Sequence, residues 1–399
     1  MLARILFFMM LMPLAAYAGD GDKAEKNQSF IEKGLMFVKT TIDSMAVAKV
    51  DRSYIEQPKK PWAVELRTEF NECLLRMTTD YPLSNGNVGN MEVKTSNGFG
   101  VAAGLWAGYR GYGFGWSKNL KGAGSTISFG AMGGSFGLNM RINSYRSDLP
   151  EMSISLDGAE ASYHESGKGD LDDPIKVRSF FLDGYYMFNG KHFSYAAAYD
   201  QSLIQRRSAG SLMAGAMYFH SRVAFDDPSN YGLITFMRGV GKIKFTQACV
   251  GLGYAYNWVP ARRWLVSVQV MPMLQFYNRM KTYRYDVQYY DGATGQSYDF
   301  VKLIDEHIED LLIYSTSEEA ANIDESEYEG DYITVTPKDE EKTDNRIGLN
   351  IDGRLAVVYN WDNFYLRVYG HYNRFRYSND VGHGRMAEWR AYASLGFRF

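Results

Sequence analysis

Cysteine, proline and long apolar runs are all scarce in this chain of 399 residues, and net charge is close to balance. Two cysteines, Cys73 and Cys249, make no disulfide framework; embedded in strands, they are expected to stay free. Ten prolines and the absence of any helix-length apolar segment after residue 18 exclude membrane-spanning helices, which need roughly 20 apolar residues. A formal charge of −3 supplies no basic field for a nucleic-acid partner. No glycine-rich phosphate loop with its lysine occurs, and no Cys or His pair stands at zinc spacing. The string Gly111-Tyr-Gly-Phe-Gly115 sits within a strand pattern and lacks the helix a nucleotide site needs. No cofactor and no metal are expected.

What is abundant is tyrosine (30), phenylalanine (23) and glycine (39), a composition of many strands. Arg4, the apolar stretch Ile5 to Leu14 and the small residues around Ala16-Tyr17-Ala18 follow the pattern of a secretory signal peptide, which is expected to be cleaved after about residue 18. No cysteine directly follows the apolar stretch, so a lipid anchor is not expected. Residues 19–61 are expected to form a periplasmic segment. Within it, Phe30, Leu35, Phe37, Val38, Ile42, Met45 and Val47 recur near helical spacing, which predicts a short helix before Pro58 and Pro61 break regular structure.

From Trp62 onward the pattern is alternation. Ile347, Leu349, Ile351, Leu355, Val357, Tyr359 and Trp361 share one face, with Asn350, Asp352, Arg354 and Asn360 on the other. Segments around Phe364, Val268 and Leu138 repeat the rule. A soluble sandwich also alternates, so three further features decide. The chain ends on an apolar face counted by twos, Trp389, Leu395, Phe397 and Phe399, similar to the C-terminal signal read by the barrel-assembly machinery of bacterial outer membranes. Aromatic residues bracket the short turns, as an interfacial girdle requires. Short and long connections alternate. Together they predict an all-β, transmembrane, antiparallel up-and-down barrel of about 12 strands over 62–399, in the outer membrane of a Gram-negative bacterium. The expected strands are 62–75, 97–108, 111–118, 124–131, 135–147, 176–188, 209–222, 244–258, 263–280, 346–361, 363–377 and 387–399. Phe193 to Leu203 could add a strand, but alone it would invert every later turn; 189–208 is therefore expected as a periplasmic or inward-folded connector.

Alternation assigns Glu65, Arg67, Glu69, Asn71, Arg141, Asp183, Asp352, Arg354, Arg367, His371, Glu388, Arg390 and Arg398 to the lumen. Both signs occur together, so these side chains either line a narrow passage or neutralise one another in a packed network. Inward glycines 98, 100, 104, 108, 111, 113 and 115 leave room for a passage or for an inserted segment. His371 is placed opposite about Ser394 with Asp352 one strand away, a nominal nucleophile, base and orienter; because it faces inward, a barrel lipase is the least favoured reading. From 283 to 345 there are 18 Asp or Glu against 4 Lys or Arg, so 281–345 is expected as a long acidic extracellular loop, solvated from Glu318 to Asp344. Asp324, Glu325, Glu327 and Asp331 could offer oxygens to calcium but lack the spacing of a calcium loop.

Three blocks resemble the domain-of-unknown-function family 4421, uncharacterised outer-membrane β-barrel proteins. They are Asp51-Arg-Ser-Tyr54-Ile55, then Tyr185-Tyr186-Met-Phe188-Asn189 with Phe193-Ser194-Tyr195, and Gln205-Arg-Arg-Ser208-Ala-Gly210-Ser211. The resemblance covers most of the mature chain and implies a barrel in the outer envelope. It carries over no catalytic or ligand residue. The expected role is structural, surface-binding or limited passage without catalysis; the alternatives are a small-solute channel and a lipid-modifying enzyme. Expected partners are outer-membrane lipid and lipopolysaccharide, the assembly machinery, and an unidentified small solute or surface ligand.

Overall fold

A computed structural model describes residues 50–399 except 84–85, 97–99, 121–123, 148–149, 158–161, 170, 305, 308–330, 345–347 and 379–381. The expected signal peptide and all but the last residue of the expected N-terminal helix lie outside the described residues.

Twelve antiparallel strands close into a ring: β1 (Trp62–Pro82), β2 (Gly100–Tyr109), β3 (Tyr112–Asn119), β4 (Gly124–Met132), β5 (Phe136–Ser147), β6 (Ile175–Met187), β7 (Ala209–Ala224), β8 (Val240–Trp258), β9 (Trp264–Tyr290), β10 (Gly348–Trp361), β11 (Phe364–Ser378) and β12 (Gly382–Arg398). Each pairs with its neighbours in sequence, and β12 closes on β1 from Gly382↔Thr79 to Arg398↔Ala63. Closure removes both sheet edges, which is what lets a sheet cross hydrocarbon with every backbone group paired.

The outward face is apolar. Val268 is 46% exposed, Ile351 49% and Leu355 52%, a poor arrangement in water and the required one in lipid. At the end carrying the short turns, rings pack along the rim: Trp62 against Tyr109 at 4.8 Å, Trp264 against Tyr359 at 4.9 Å and Phe364 against Phe397 at 4.9 Å between centroids. This is the interfacial girdle, and with the belt above it the ring is a membrane-spanning barrel. The turns there are tight. Arg110, Arg263 and Asp362 adopt positive φ, and a Cβ on Gly111, also at positive φ, would strike the Met132 carbonyl.

At the opposite end the strands run past the belt. β1 continues to Pro82 and pairs with 88–96, which pairs with 151–157 and through it with 162–168. β9 continues to Tyr290 and pairs with 332–344 from Arg279↔Asp344 to Tyr290↔Tyr332. These segments correct two expectations: 76–96 and 148–175 contain hairpin strands, and the acidic stretch is strand from residue 332. The reason is local neutralisation. Lys281 meets Glu340 at 2.8 Å, Arg284 meets Glu341 at 2.6 Å, and Arg279 holds Asp344 through two bonds at 2.6 and 3.0 Å, while Tyr332, Ile333 and Val335 favour extended backbone.

The alternation changes sign along the barrel. On β1, Glu65, Glu69 and Asn71 point inward below, whereas Leu75 and Met77 do so above. On β8, Tyr254 and Leu252 face out below, and Lys244 and Lys242 take that side above, with Ile243 and Phe245 inside. The upper barrel is therefore built like a water-soluble one, around a core that includes Leu75, Phe181, Phe219 and Phe245.

Candidate functional site in the barrel interior

The lower lumen is filled by an ion-pair network and by the connector 189–208, which folds inward and carries the short helix α1 (Ala196–Tyr199). Tyr195, Ala196, Ala197, Ala198 and Gln201 are buried to within about 1%. Two tyrosines four residues apart share one face of α1, ring centroids 4.5 Å apart. Their polar atoms meet the wall. Arg354 Nη1 donates to the Tyr195 hydroxyl at 2.6 Å, Arg367 donates to the Tyr199 carbonyl, and Arg398 donates to the Gln201 carbonyl at 3.2 Å.

Every lumen-assigned charged residue is at this level, and all of them except Arg398 fall into three contacting sets. Nearest the short-turn rim, Glu65 accepts from Arg67 at 2.5 Å, Arg367 at 2.7 Å and the Tyr365 hydroxyl at 2.7 Å. In the second set Arg354 pairs with Asp183 at 2.9 Å and Asp352 at 3.4 Å, and His371 Nε2 lies 2.8 Å from Asp352. Tyr185 and Gln269 donate to the same Asp352 oxygen, each at 2.9 Å. In the third set Glu388 takes Arg141 at 3.0 Å and Arg390 at 2.5 Å; Arg390 also bonds Glu69, to which Asn71 donates at 3.2 Å. Within the three sets five carboxylates (65, 69, 183, 352, 388) thus face five guanidiniums (67, 141, 354, 367, 390), and the one imidazole completes the second set; outside them the buried Arg398 donates to Asn360 at 2.8 Å and the buried Asp200 accepts from Ser202 at 2.7 Å. Such a balance is what permits charges to be buried at all.

The glycine space is also taken. Trp106 turns inward, its indole lies where Cβ atoms on Gly108 and Gly113 would stand, and Arg67 stacks over it at 4.9 Å. A cavity of about 70 Å³ remains between connector and wall, lined by Arg67, Asp183, Asp200, Arg354, Arg367 and His371 among others. It has room for a few waters.

The upper end is closed separately. Residues 225–239, including α2 (Tyr231–Phe236), lie across it: the Tyr81 hydroxyl donates to the Phe236 carbonyl, and Arg238 donates to the Asp80 carbonyl at 3.0 Å.

The nominal triad is not assembled. Ser394 stands opposite Arg367, which donates to its hydroxyl at 3.3 Å, and His371 stands opposite Arg390. The observed register differs from the expected one by four residues because the β11–β12 turn is shorter than alternation suggests; strand pairing already begins at Ser378↔His383. Of the calcium candidates, Asp324, Glu325 and Glu327 lie outside the described residues. Asp331 accepts from the Tyr289 hydroxyl and from the Gly292 amide at 2.8 Å, and no metal-binding cluster occurs among the described residues. Cys73 and Cys249 are free and buried. Of the C-terminal set, Leu395, Phe397 and Phe399 are exposed on the outer face, and Trp389 donates to Glu72 at 3.1 Å. Sequence reasoning missed Tyr185, Tyr195, Tyr199, Tyr365 and Trp106, polar-tipped aromatics that alternation alone does not separate from girdle residues.

Among solved structures, the chain is similar to the outer membrane protease OmpT from Escherichia coli, at 8% identity over 86% of this chain and 97% of that one, with a TM-score of 0.35. It is similar also to the translocator domain of the autotransporter NalP from Neisseria meningitidis, at 8% identity, 94% and 98% coverage and a TM-score of 0.30. A third is the Pseudomonas putida toluene transporter TodX, at 9% identity, 89% and 94% coverage and a TM-score of 0.26. Likenesses this distant transfer no activity. No protein of curated function matches the chain in sequence. Residues 49–399 match the domain-of-unknown-function family 4421, and the chain belongs to that family.

Proposed function

We propose that this protein is an outer-membrane barrel, closed along its axis, with a structural or surface-binding role and no catalytic step. The observation that carries the reading is the inward connector, whose Tyr195, Tyr199 and Gln201 are bonded to Arg354, Arg367 and Arg398 of the wall while the remaining charges neutralise one another. The short turns and both barrel termini face the periplasm, the long arms face outward, the signal peptide is removed on export, and Phe399 closes the strand that the assembly machinery engages. In planar bilayers the purified protein is expected to give no steady current. Steady open conductance would contradict the closed-barrel reading. Phospholipid hydrolysis that disappears in His371→Ala would contradict its non-catalytic part.

Limited passage is the second reading, favoured by the polar cavity of about 70 Å³ beside the connector. Deleting residues 194–203 should then open measurable conductance in a barrel that still forms.

A further inference from the structure

The barrel wall splits at its upper edge. β10 and β11 pair only from Gly353↔Tyr372 down to Trp361↔Phe364. Above that level β10 stays with β9 up to Gln275↔Gly348, and β11 stays with β12 up to Ser378↔His383. Within the split, the Arg376 carbonyl accepts from the side chains of Gln247 at 2.7 Å and Asn278 at 3.3 Å, so this free stretch of β11 is held from inside. The result is a cleft of about 1010 Å³ with two unlike walls. Leu349 and Ile351 form an exposed apolar lip; Arg374, Arg376, Arg385 and Arg76 face it.

The basic wall is set by register. Arg376 is opposite Arg385, Arg385 is opposite Arg76, and Arg76 is opposite Lys94 on the 88–96 strand, so four cations stand in one row across four strands. Arg76 and Lys94 share Glu92 at 3.0 and 3.3 Å, and His383 meets Asp80 at 3.6 Å. Arg374, Arg376 and Arg385 form no ion pair among the described residues. Like charges directly opposed across a sheet destabilise it unless something bridges them. Height identifies what does. Arg376, Arg385 and Arg76 each stand twelve residues along the strand from the girdle-level row Phe364, Phe397 and Val64. At roughly 3.3 Å per residue and a tilt of about 40° that is about 30 Å, just beyond an apolar band about 25 Å tall. Tyr372 and Trp389, opposite each other four residues below the row, mark the upper girdle. The arginines therefore sit at the depth of lipid phosphates; Leu349, also twelve residues from the girdle row at Trp361, stands level with Arg376, and the apolar belt lies below both.

We propose that this cleft binds the phosphorylated headgroup of an anionic lipid of the outer leaflet, phosphates on the arginines beside the Leu349 and Ile351 lip and chains on the belt below. The inference rests on the membrane-barrel reading, and its test separates the two. Full-length protein is reconstituted into phosphatidylcholine nanodiscs containing lipid A as a minor component, transferred to detergent, and the retained lipid A measured by mass spectrometry. The wild type is expected to retain lipid A, and R374Q/R376Q/R385Q to lose roughly a hundredfold in retention, about fivefold per arginine. Inorganic phosphate, which lacks the chains, is expected not to displace the lipid. Equal retention by the triple variant, or displacement by phosphate alone, overturns the site. Heat-modifiable migration of each sample reports whether the barrel has closed, so a wild type without it contradicts the barrel and not the cleft. If the triple variant does not close, Arg376→Gln, which removes one of an opposed pair, is read the same way with a fivefold loss expected and no loss overturning the site.

Discussion

The lower and upper halves of the barrel solve the same packing problem with opposite materials. Below, where lipid covers the outside, apolar residues are consumed by the exterior, and the interior is left to charges that must be offset by opposite ones, as Arg354 is by Asp183 and Asp352. Above, water covers the outside, lysines and arginines move there, and Leu75, Phe219 and Phe245 fill the centre. One backbone cylinder thus carries two cores, and the solvent around each level decides which residues go in. The boundary runs near Phe181, whose ring meets His371 edge-on at 5.9 Å and carries Arg141 at 4.8 Å, so the ionic set abuts the apolar one through cation–π and ring contacts.

Substitutions that exchange the two materials give the largest expected effects. Arg354→Ala strands two carboxylates in the lower core and should destabilise the barrel by about 3–5 kcal/mol in urea unfolding, whereas adding Asp183→Asn and Asp352→Asn should restore much of the loss. Leu75→Ala, a cavity in the upper core, should cost about 2–4 kcal/mol with no dependence on partner charges. On the exterior, Val268→Arg places a charge in the belt and should cost about 2–4 kcal/mol, while the converse Lys176→Val above the belt should stay within about 0.5 kcal/mol. Equal costs at these two positions would erase the distinction between the halves. The smallest effect belongs to the arm of β9 and 332–344. There the Arg279 and Lys281 hydrogen bonds hold the Asp344 and Glu340 carboxyls below their ordinary range. Depressed carboxylates contribute stability above the unfolded value and lose it as pH falls through the folded one. Protease nicking of the arm should therefore rise as pH drops below the ordinary carboxylate range, with Arg279→Ala removing part of that dependence.

The sequence revealed strands wherever lipid and lumen imposed a clean contrast. β10 and β11 lie within two residues of their expected ends, and Ile351 and Leu355 face out as alternation requires. Legibility failed where the contrast reversed. Arg76 to Pro82, 88–96 and 332–344 carry charges on the outward side, where the membrane rule of apolar outside no longer applies, so their alternation does not mark them as strands. The interior network was visible residue by residue through parity, but its partners were not: which carboxylate meets Arg367 depends on the curvature that brings β1 and β11 together across β12. The plug was half legible. Tyr195-Ala-Ala-Ala-Tyr199 has helical spacing, yet four residues form a helix only when buried against a wall the sequence does not display.

Spin-label accessibility at two positions tests most directly where lipid ends and water begins. In reconstituted protein, a label at Val268→Cys should relax with oxygen and ignore a water-soluble nickel chelate, while a label at Lys176→Cys should respond strongly to nickel. Nickel access at both positions would mean that no bilayer surrounds the lower half, and would contradict the two-core barrel.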